Sequence, residues 1–463
     1  VKYIVTLLVG LFLTFCSREP TLLEQVKERG ELKVVARNDP TSIYQGPGGR
    51  AGLEYDLARR FARELGVELR LMVVQNPRDL LPGLAATGAQ LAAGVIITDD
   101  RKPRVRFGPT YQQVTQQVVY RVGTRRPRGI EDLASGNLEV AKGSYQSRLL
   151  EQLKRKHPEL EWQEVPEVGP RELLSLVWDQ LVDYTIADSN EVALVRRFYP
   201  ELRIAFDLGS PIPLAWAFPR DADDSLYLAA IHFFNRIRKN GELEQLLERH
   251  YGHVNRFDYV GTRRLLLHLK QRLPRYRTYF RQAAARYGLD WKLIAAIGYQ
   301  ESHWDPDAVS PTQVRGLMML TLKTARQLGI KDRRDPKDSI YGGAKYFAMS
   351  KAKVPGRIPE PDRTWFGLAA YNVGYGHLED ARRLTQRLGD DPDKWVDVKK
   401  HLPLLSEEKW YKKTRYGYAR GQEPVRYVEN VRRYYDLIVW AEQQDQPQPP
   451  PPPPGLGIDS PVL

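Results

Sequence analysis

The sequence predicts two unlike folds in one chain, an α/β region followed by an all-helical region. Three observations predict this. From about Gly30 to Gly252, short β-branched runs alternate with amphipathic helical stretches, the pattern of a layered α/β architecture with mostly parallel strands. Beyond 262 the apolar spacing becomes helical,. Between the two, 253–261 has no periodicity and reads as a linker. At 463 residues the chain is too long for one ordinary domain,, and a division into 30–255 and 262–442 gives each part a usual size,.

The two ends stand apart. Lys2 precedes an apolar run from Tyr3 to Phe15, too short to span a bilayer and shaped like a signal-peptide core, so 1–16 is expected to direct export. Cys16 is the only cysteine and follows that run directly. Its place suits a lipoprotein cleavage site, while Phe15 is bulkier than such sites use, so lipidation and ordinary cleavage both stay open. One cysteine excludes an internal disulfide. The stretch 446–463 is dominated by proline and is expected to be extended, without a core.

Lys and Arg outnumber Asp and Glu by 70 to 57, a net charge of +13, which favours an anionic partner. No dense basic block with interleaved aromatics, zinc-finger spacing or RNP-like run is present, so nucleic acid is not expected. No His/Cys/Asp cluster has metal-ligand spacing and no glycine loop has phosphate-binding context, so no metal or cofactor is expected.

In chain order, a short helix from Leu22 to Arg29 leads through Gly30 to a strand at Leu32–Ala36. A helix then carries Leu57, Phe61 and Leu65 on one side and closes at Gly66,. Strands follow at Val67–Val74, Leu91–Ile97, Leu138–Ala141, Trp162–Val165 and Tyr184–Ala187, with a helix at Glu172–Trp178. Val114–Val122 and Arg203–Leu208 are placed to cross between two lobes. Three polar stretches sit at the C-terminal ends of strands, where open α/β sheets bind ligands: Ile97–Arg101 with Phe107–Tyr111, Lys142–Tyr145, and Ile186–Ser189. Arg101 can pair with a carboxylate, Ser144 and its neighbouring amides with the same group, and Asp188 with an ammonium.

At these residues, and at the closing run Asn240–Leu243 through His250–Gly252, the region resembles the type-3 periplasmic solute-binding proteins. The resemblance implies a two-lobed periplasmic-binding-protein-like domain with Arg101, Ser144 and Asp188 around an amino-acid or muropeptide ligand. The family's aromatic clamp is not evident in Asp39–Arg50.

Helices continue at Leu265–Leu273, Arg277–Tyr287, Leu322–Leu328, Ile340–Lys351 and Val425–Trp440. One of them organises the second half. Asp290 caps a pattern running to Pro306, in which Ile294, Ile297 and Glu301 share a stripe beside Leu293,. A carboxylate ending an apolar stripe faces protein, and burial raises its pKa toward the value a general acid needs.

Further on lie Gly316-Leu317-Met318, then Ala370-Tyr371-Asn372 with Gly374 and Gly376, then Glu423 with Tyr427-Val428. In this order, with Glu301-Ser302 ahead of them, they resemble the soluble-lytic-transglycosylase domain, an all-α goose-lysozyme-like fold acting on peptidoglycan. The whole chain thus looks like a membrane-bound lytic transglycosylase bearing a solute-binding-like domain. Met319 departs from the pattern, which has Gln there.

The resemblance implies a lyase with a single carboxylate. Glu301 protonates the leaving oxygen between N-acetylmuramic acid and N-acetylglucosamine, then takes the proton of the muramoyl 6-hydroxyl as a 1,6-anhydro ring closes. The substrate's N-acetyl group supplies the nucleophile. Asp305 and Asp307 flank Pro306 and read as turn residues rather than a second carboxylate. Ser302 is expected to hydrogen-bond substrate, Gly316 to let the backbone approach the sugar, and Met318 to form an apolar wall. Tyr371 and Asn372 are expected to form the far side of the cleft, and Tyr427 to bond near Glu301. The location implied is periplasmic, at the inner leaflet of the outer membrane. Competing readings are a periplasmic receptor whose helical domain only binds the wall, and a hydrolytic muramidase.

Overall fold

The computed structural model describes residues 19–46, 49–166, 168–254, 258–310 and 313–444. The expected signal peptide, Cys16 and the 446–463 tail lie outside them. The α/β half is built on one nine-stranded sheet. From one edge it runs Glu68–Val74, Glu31–Arg37, Leu91–Ile96, Leu202–Pro219, Gln112–Arg121, Tyr184–Asp188, Leu138–Ala141 and Gln163–Val165, with Val105–Phe107 added against Leu202–Pro219.

The two wings of this sheet are parallel, as expected. Glu31–Arg37 pairs in parallel with both its neighbours, and so does Leu138–Ala141. The middle is not parallel. Leu202–Pro219 runs antiparallel to Leu91–Ile96, Val105–Phe107 and Gln112–Arg121, and the last of these runs antiparallel to Tyr184–Asp188. The reason is topological: Gln112–Arg121 carries the chain into the second lobe and Leu202–Pro219 brings it back. An outgoing strand paired with a returning one is antiparallel. Each lobe keeps its own apolar clusters, one around Phe61, Trp216 and Phe233, another around Val118, Leu138 and Leu150.

The helical half packs around one core that includes Phe280, Ile297, Met318, Phe366 and Val428. Its Leu322–Leu328 helix ends at Gly329, in the left-handed region at φ 72°, a position suited to glycine. The last helix is longer than its apolar pattern, Gln422–Gln444. The Glu301 helix is shorter than expected. It spans Trp291–Ser302, after which His303 and Trp304 both turn left-handed, at φ 54° and 57°. The stop is made by that turn, three residues before Pro306.

The two halves meet along Gln422–Gln444. Arg432 Nη1 donates to Glu248 Oε1 at 2.9 Å, and Nη2 donates to the carbonyls of Glu248 and Arg249 at 2.9 Å each. It thereby caps the last turn of the Glu242–Tyr251 helix,. The same guanidinium lies 4.0 Å from the Trp365 ring centroid. Lys399 adds a second cation to Glu248 at 2.5 Å. Phe198 stacks on Trp440 with centroids 5.5 Å apart.

Candidate active site

Three helices converge at Glu301. Its own helix begins where Asp290 accepts the Lys292 N–H at 2.8 Å. Ile294 and Ile297 are fully buried on the expected stripe, and Leu293 is half-buried beside it. The second helix, Asp362–Val373, brings Tyr371, and Gln422–Gln444 brings Tyr427. The Tyr427 hydroxyl donates to Glu301 Oε1 at 2.6 Å. Tyr371 stacks on Tyr427 with centroids 6.2 Å apart and donates to the Met318 carbonyl at 3.2 Å.

Burial raises the Glu301 carboxyl to about 7, opposed by the Tyr427 hydrogen bond. Its place in the last helical turn, where the unpaired carbonyls concentrate negative potential, acts in the same direction as burial. Among the described residues, no salt bridge engages Glu301. Asp305 lies in the turn, accepting the Asp307 N–H and standing 3.8 Å from Arg272. It is a turn residue, as expected.

Met318 forms the floor of the acid helix. A Cβ at Gly298 would lie 3.0 Å from its sulfur, and one at Gly343 would lie 2.5 Å from its methyl group. Two helical glycines therefore make room for one methionine, whose N–H donates to Ser339 Oγ at 3.0 Å.

Two expected roles change. The Ser302 hydroxyl donates to the Leu317 carbonyl at 2.8 Å and accepts the Asp305 N–H at 3.2 Å. Buried and committed in this way, it ties the acid helix to the 316–320 loop instead of offering a free hydrogen to substrate. Gly316 sits at φ +87°, and a Cβ there would fall 1.9 Å from the Arg333 carbonyl oxygen. The glycine is required by that backbone contact rather than by approach to a sugar. Asn372 is exposed at the end of its helix, and Gly376 lies beneath the half-exposed Tyr416 ring, with its Cβ position 2.8 Å from a ring carbon. Sequence reasoning missed Tyr346, whose ring lies 5.1 Å from Tyr371. A lone tyrosine within the Pro336–Lys353 helix gave no sign of it.

In the α/β half, Arg101 and Asp188 line one space between the lobes, as expected. Ser144 does not. It caps the Tyr145–Lys154 helix, accepting the Ser147 N–H at 3.2 Å, so the lining passes to Tyr145 and Gln146. The Asp188 carboxylate accepts from Gln116 and Gln146 at 2.8 and 2.9 Å. Arg101 donates to the Ile96 carbonyl at 3.0 Å.

Sequence reasoning missed Arg37 and Glu191 here. Arg37 reaches Glu191 at 2.8 Å and Asp39 at 3.1 Å. Its position at the C-terminal end of a strand, like the other three, was the available signal. Burial holds Asp188 and Glu191 above the usual carboxylate range against the pull of Arg37. The space is about 30 Å³, near the share of a single water.

Known families divide the chain as the fold does. Residues 32–253 match the bacterial extracellular solute-binding proteins, family 3, and residues 278–393 match the Transglycosylase SLT domain. The class is thus a solute-binding-type α/β domain joined to a helical transglycosylase domain. Over nearly the whole length, the chain is similar to membrane-bound lytic murein transglycosylase F 1 of Alkalilimnicola ehrlichii, 52% identical over 427 residues, 91% of this chain and 86% of that one. The membrane-bound lytic murein transglycosylase F of Stutzerimonas stutzeri is 48% identical, covering 94% and 91%. That of Ectopseudomonas mendocina is 49% identical, covering 98% and 94%. The chain belongs to the membrane-bound lytic murein transglycosylase F family.

Among solved structures, a P235GK mutant of ArgBP from T. maritima aligns with a TM-score of 0.45 at 24% identity, over 50% of this chain and 99% of that one. The family places the enzyme reading ahead of a receptor with an inert helical domain. Its members are named membrane-bound, and among the described residues no helix is long and apolar enough to cross a membrane.

Proposed function

We propose that Glu301 is the sole proton shuttle of a non-hydrolytic cleavage of the β-1,4 bond between N-acetylmuramic acid and N-acetylglucosamine in peptidoglycan. The observation that carries this is a carboxyl raised to about 7 by burial, with one phenol as its hydrogen-bond partner. Near neutral pH such a group is partly protonated and can donate. In the forward step the glycosidic bond from C1 breaks and the leaving oxygen takes the Glu301 proton. The substrate's N-acetyl oxygen supports the developing positive charge at C1. The muramoyl O6 then bonds to C1 and gives its proton to the Glu301 carboxylate, which regenerates the acid. No water enters, and the product ends in a 1,6-anhydro ring.

Tyr427 and Tyr371 form one wall beside the acid, Met318 the floor, and Ser302 and Gly316 fix the loop that carries Met318. Asn372 supplies a polar contact at the rim. Mass spectrometry of products from purified sacculi tests the reading. Anhydro-ended muropeptides are expected, and products heavier by one water would replace it with a hydrolase.

In the same reading the lobes open from their narrow arrangement to admit a carboxylate-bearing amino acid or muropeptide, close on it with Arg101 and Asp188 as its partners, and thereby alter access to Glu301. Calorimetry with cell-wall peptides on the wild type and Arg101→Ala tests this, with binding lost in the variant. Equal turnover with and without ligand would remove the coupling. Residues 1–16 direct the chain to the periplasm, where it lies against the inner leaflet of the outer membrane.

A further inference from the structure

A cavity of about 490 Å³ lies at the junction of the two halves, apart from both sites already described. Its α/β-side wall includes Tyr44, Arg197, Arg249 and His253. Its helical-side wall includes Leu289, Leu293, Trp365 and Leu368. The Glu301 helix contributes Leu293, the Tyr371 helix Trp365 and Leu368, and the Tyr427 helix Arg432, Tyr435 and Asp436. The space is of the size that holds small molecules.

Its polar groups are unequally served. Arg432 has three hydrogen bonds at 2.9 Å. Arg249 is held at longer range. It forms ion pairs with Asp56 at 3.7 Å and Asp362 at 3.9 Å, longer than the contacts of Arg432. The Asp56 oxygen concerned is already bonded to His250 Nε2 at 2.9 Å. Arg249 Nη2, the atom paired with Asp362, also donates to the Glu360 carbonyl at 3.5 Å, and its buried Nε has no hydrogen-bond partner among the described residues. Burial works against its charge, and Asp56 and Asp362 oppose that only in part. A guanidinium paired at this range, with its Nε unpartnered, has a donor edge left for a carboxylate.

His253, 7% exposed, is the second such group. Its Nε2 bonds Asp436 Oδ2 at 2.7 Å. The same Nε2 lies 3.2 Å from Arg197 Nη1, which also pairs with Asp436; in the tautomer whose Nε2 hydrogen is given to Asp436, Nδ1 is an acceptor. Nδ1 is buried and has no partner among the described residues. The same cavity is lined by the apolar side chains of Leu289, Leu293, Trp365 and Leu368.

We propose that this junction cavity is a binding site for a small amphipathic carboxylate: its anion on Arg249, an N–H donated to His253 Nδ1, and an apolar side chain against Leu293 and Leu368. N-acylated amino acids and the carboxyl ends of short apolar peptides have this chemistry. The site is independent of the lobe cleft and of the reaction at Glu301.

The test uses the full chain and N-acetyl-L-leucine, with N-acetyl-L-leucinamide as the partner lacking the anion, followed by ligand-observed NMR and calorimetry. N-acetyl-L-leucine is expected to bind the wild type and Arg101→Ala alike. Affinity is expected to fall about tenfold or more for the amide and for Arg249→Met. Leu289→Trp narrows the cavity from a half-buried loop position and gives the same loss should Arg249→Met fold poorly, with thermal melts reporting on fold. No binding up to roughly 10 mM, equal binding of acid and amide, or binding removed by Arg101→Ala but untouched by Arg249→Met would each overturn the proposal.

Discussion

The lobe cleft and the surroundings of Glu301 both desolvate carboxylates, and they partner them differently. Between the lobes, Asp188 and Glu191 share Arg37, and two glutamines donate to Asp188. At Glu301 the partner is one phenol, with no cation in a salt bridge among the described residues. Desolvation keeps all of them above the usual carboxylate range, Glu191 at about 8 despite Arg37 and Glu301 at about 7. What differs is the opposition to it: a cation and amide donors between the lobes, a single phenol at Glu301,. The role proposed for Glu301 rests on what surrounds the side chain as much as on the side chain itself.

The sharpest way to break this comparison is Glu301→Gln, which keeps shape and removes the proton. Turnover of sacculi should fall roughly 10²–10⁴-fold while glycan binding in a pull-down assay persists, and an active variant would sink the assignment. Next in size is Arg37→Met, which strips the cleft of the cation that Asp39, Asp188 and Glu191 face. The expected loss is about 3–5 kcal/mol of stability in the α/β domain, measured by denaturant melts. It should shrink at acid pH, where the stranded carboxylates take up protons.

Tyr427→Phe tests the other side. Its hydroxyl favours the charged form of Glu301, so removing it should raise the acid's pKa. The alkaline limb of the kcat/KM profile should move up by about one pH unit, and the rate at the optimum should drop by less than about tenfold. A downward shift would show that Tyr427 serves the protonated acid instead.

The last effect concerns stability. The Glu301 pKa in the folded chain, about 7, lies above the ordinary 4.5. The wild type is therefore favoured fully below about 4.5 and loses that contribution as pH rises through about 7. Glu301→Gln does not titrate, so relative to the wild type it should gain up to about 3 kcal/mol of stability between pH 4 and pH 8, read from denaturant melts at the two pH values.

The α/β-then-helical order was legible because strand and helix periods are local properties. The crossing strands at Gln112–Arg121 and Leu202–Pro219 were also foreseen in outline. Their effect on sheet direction was not, because strand direction depends on how the chain returns rather than on side-chain pattern. Glu301 was legible from its apolar stripe, and Tyr427 from its place in an ordered motif. The altered roles of Ser302 and Gly316 were not, since both depend on which carbonyl, Leu317 or Arg333, the fold brings alongside. Arg37 was passed over because an arginine ending a strand looks like a surface residue until Glu191 is folded against it.

The paired left-handed residues after Ser302 bear on the acid itself. A helix's final turn ordinarily frays, and an acid placed there would wander. Here the chain doubles back, and the Trp304 indole donates to the Ala295 carbonyl at 2.9 Å, well inside the same helix. Two non-glycine residues at positive φ cost on the order of 1–3 kcal/mol each. That conformational expense latches the end of the helix to its own middle, so the turn that bears Glu301 is tied down rather than left to fray.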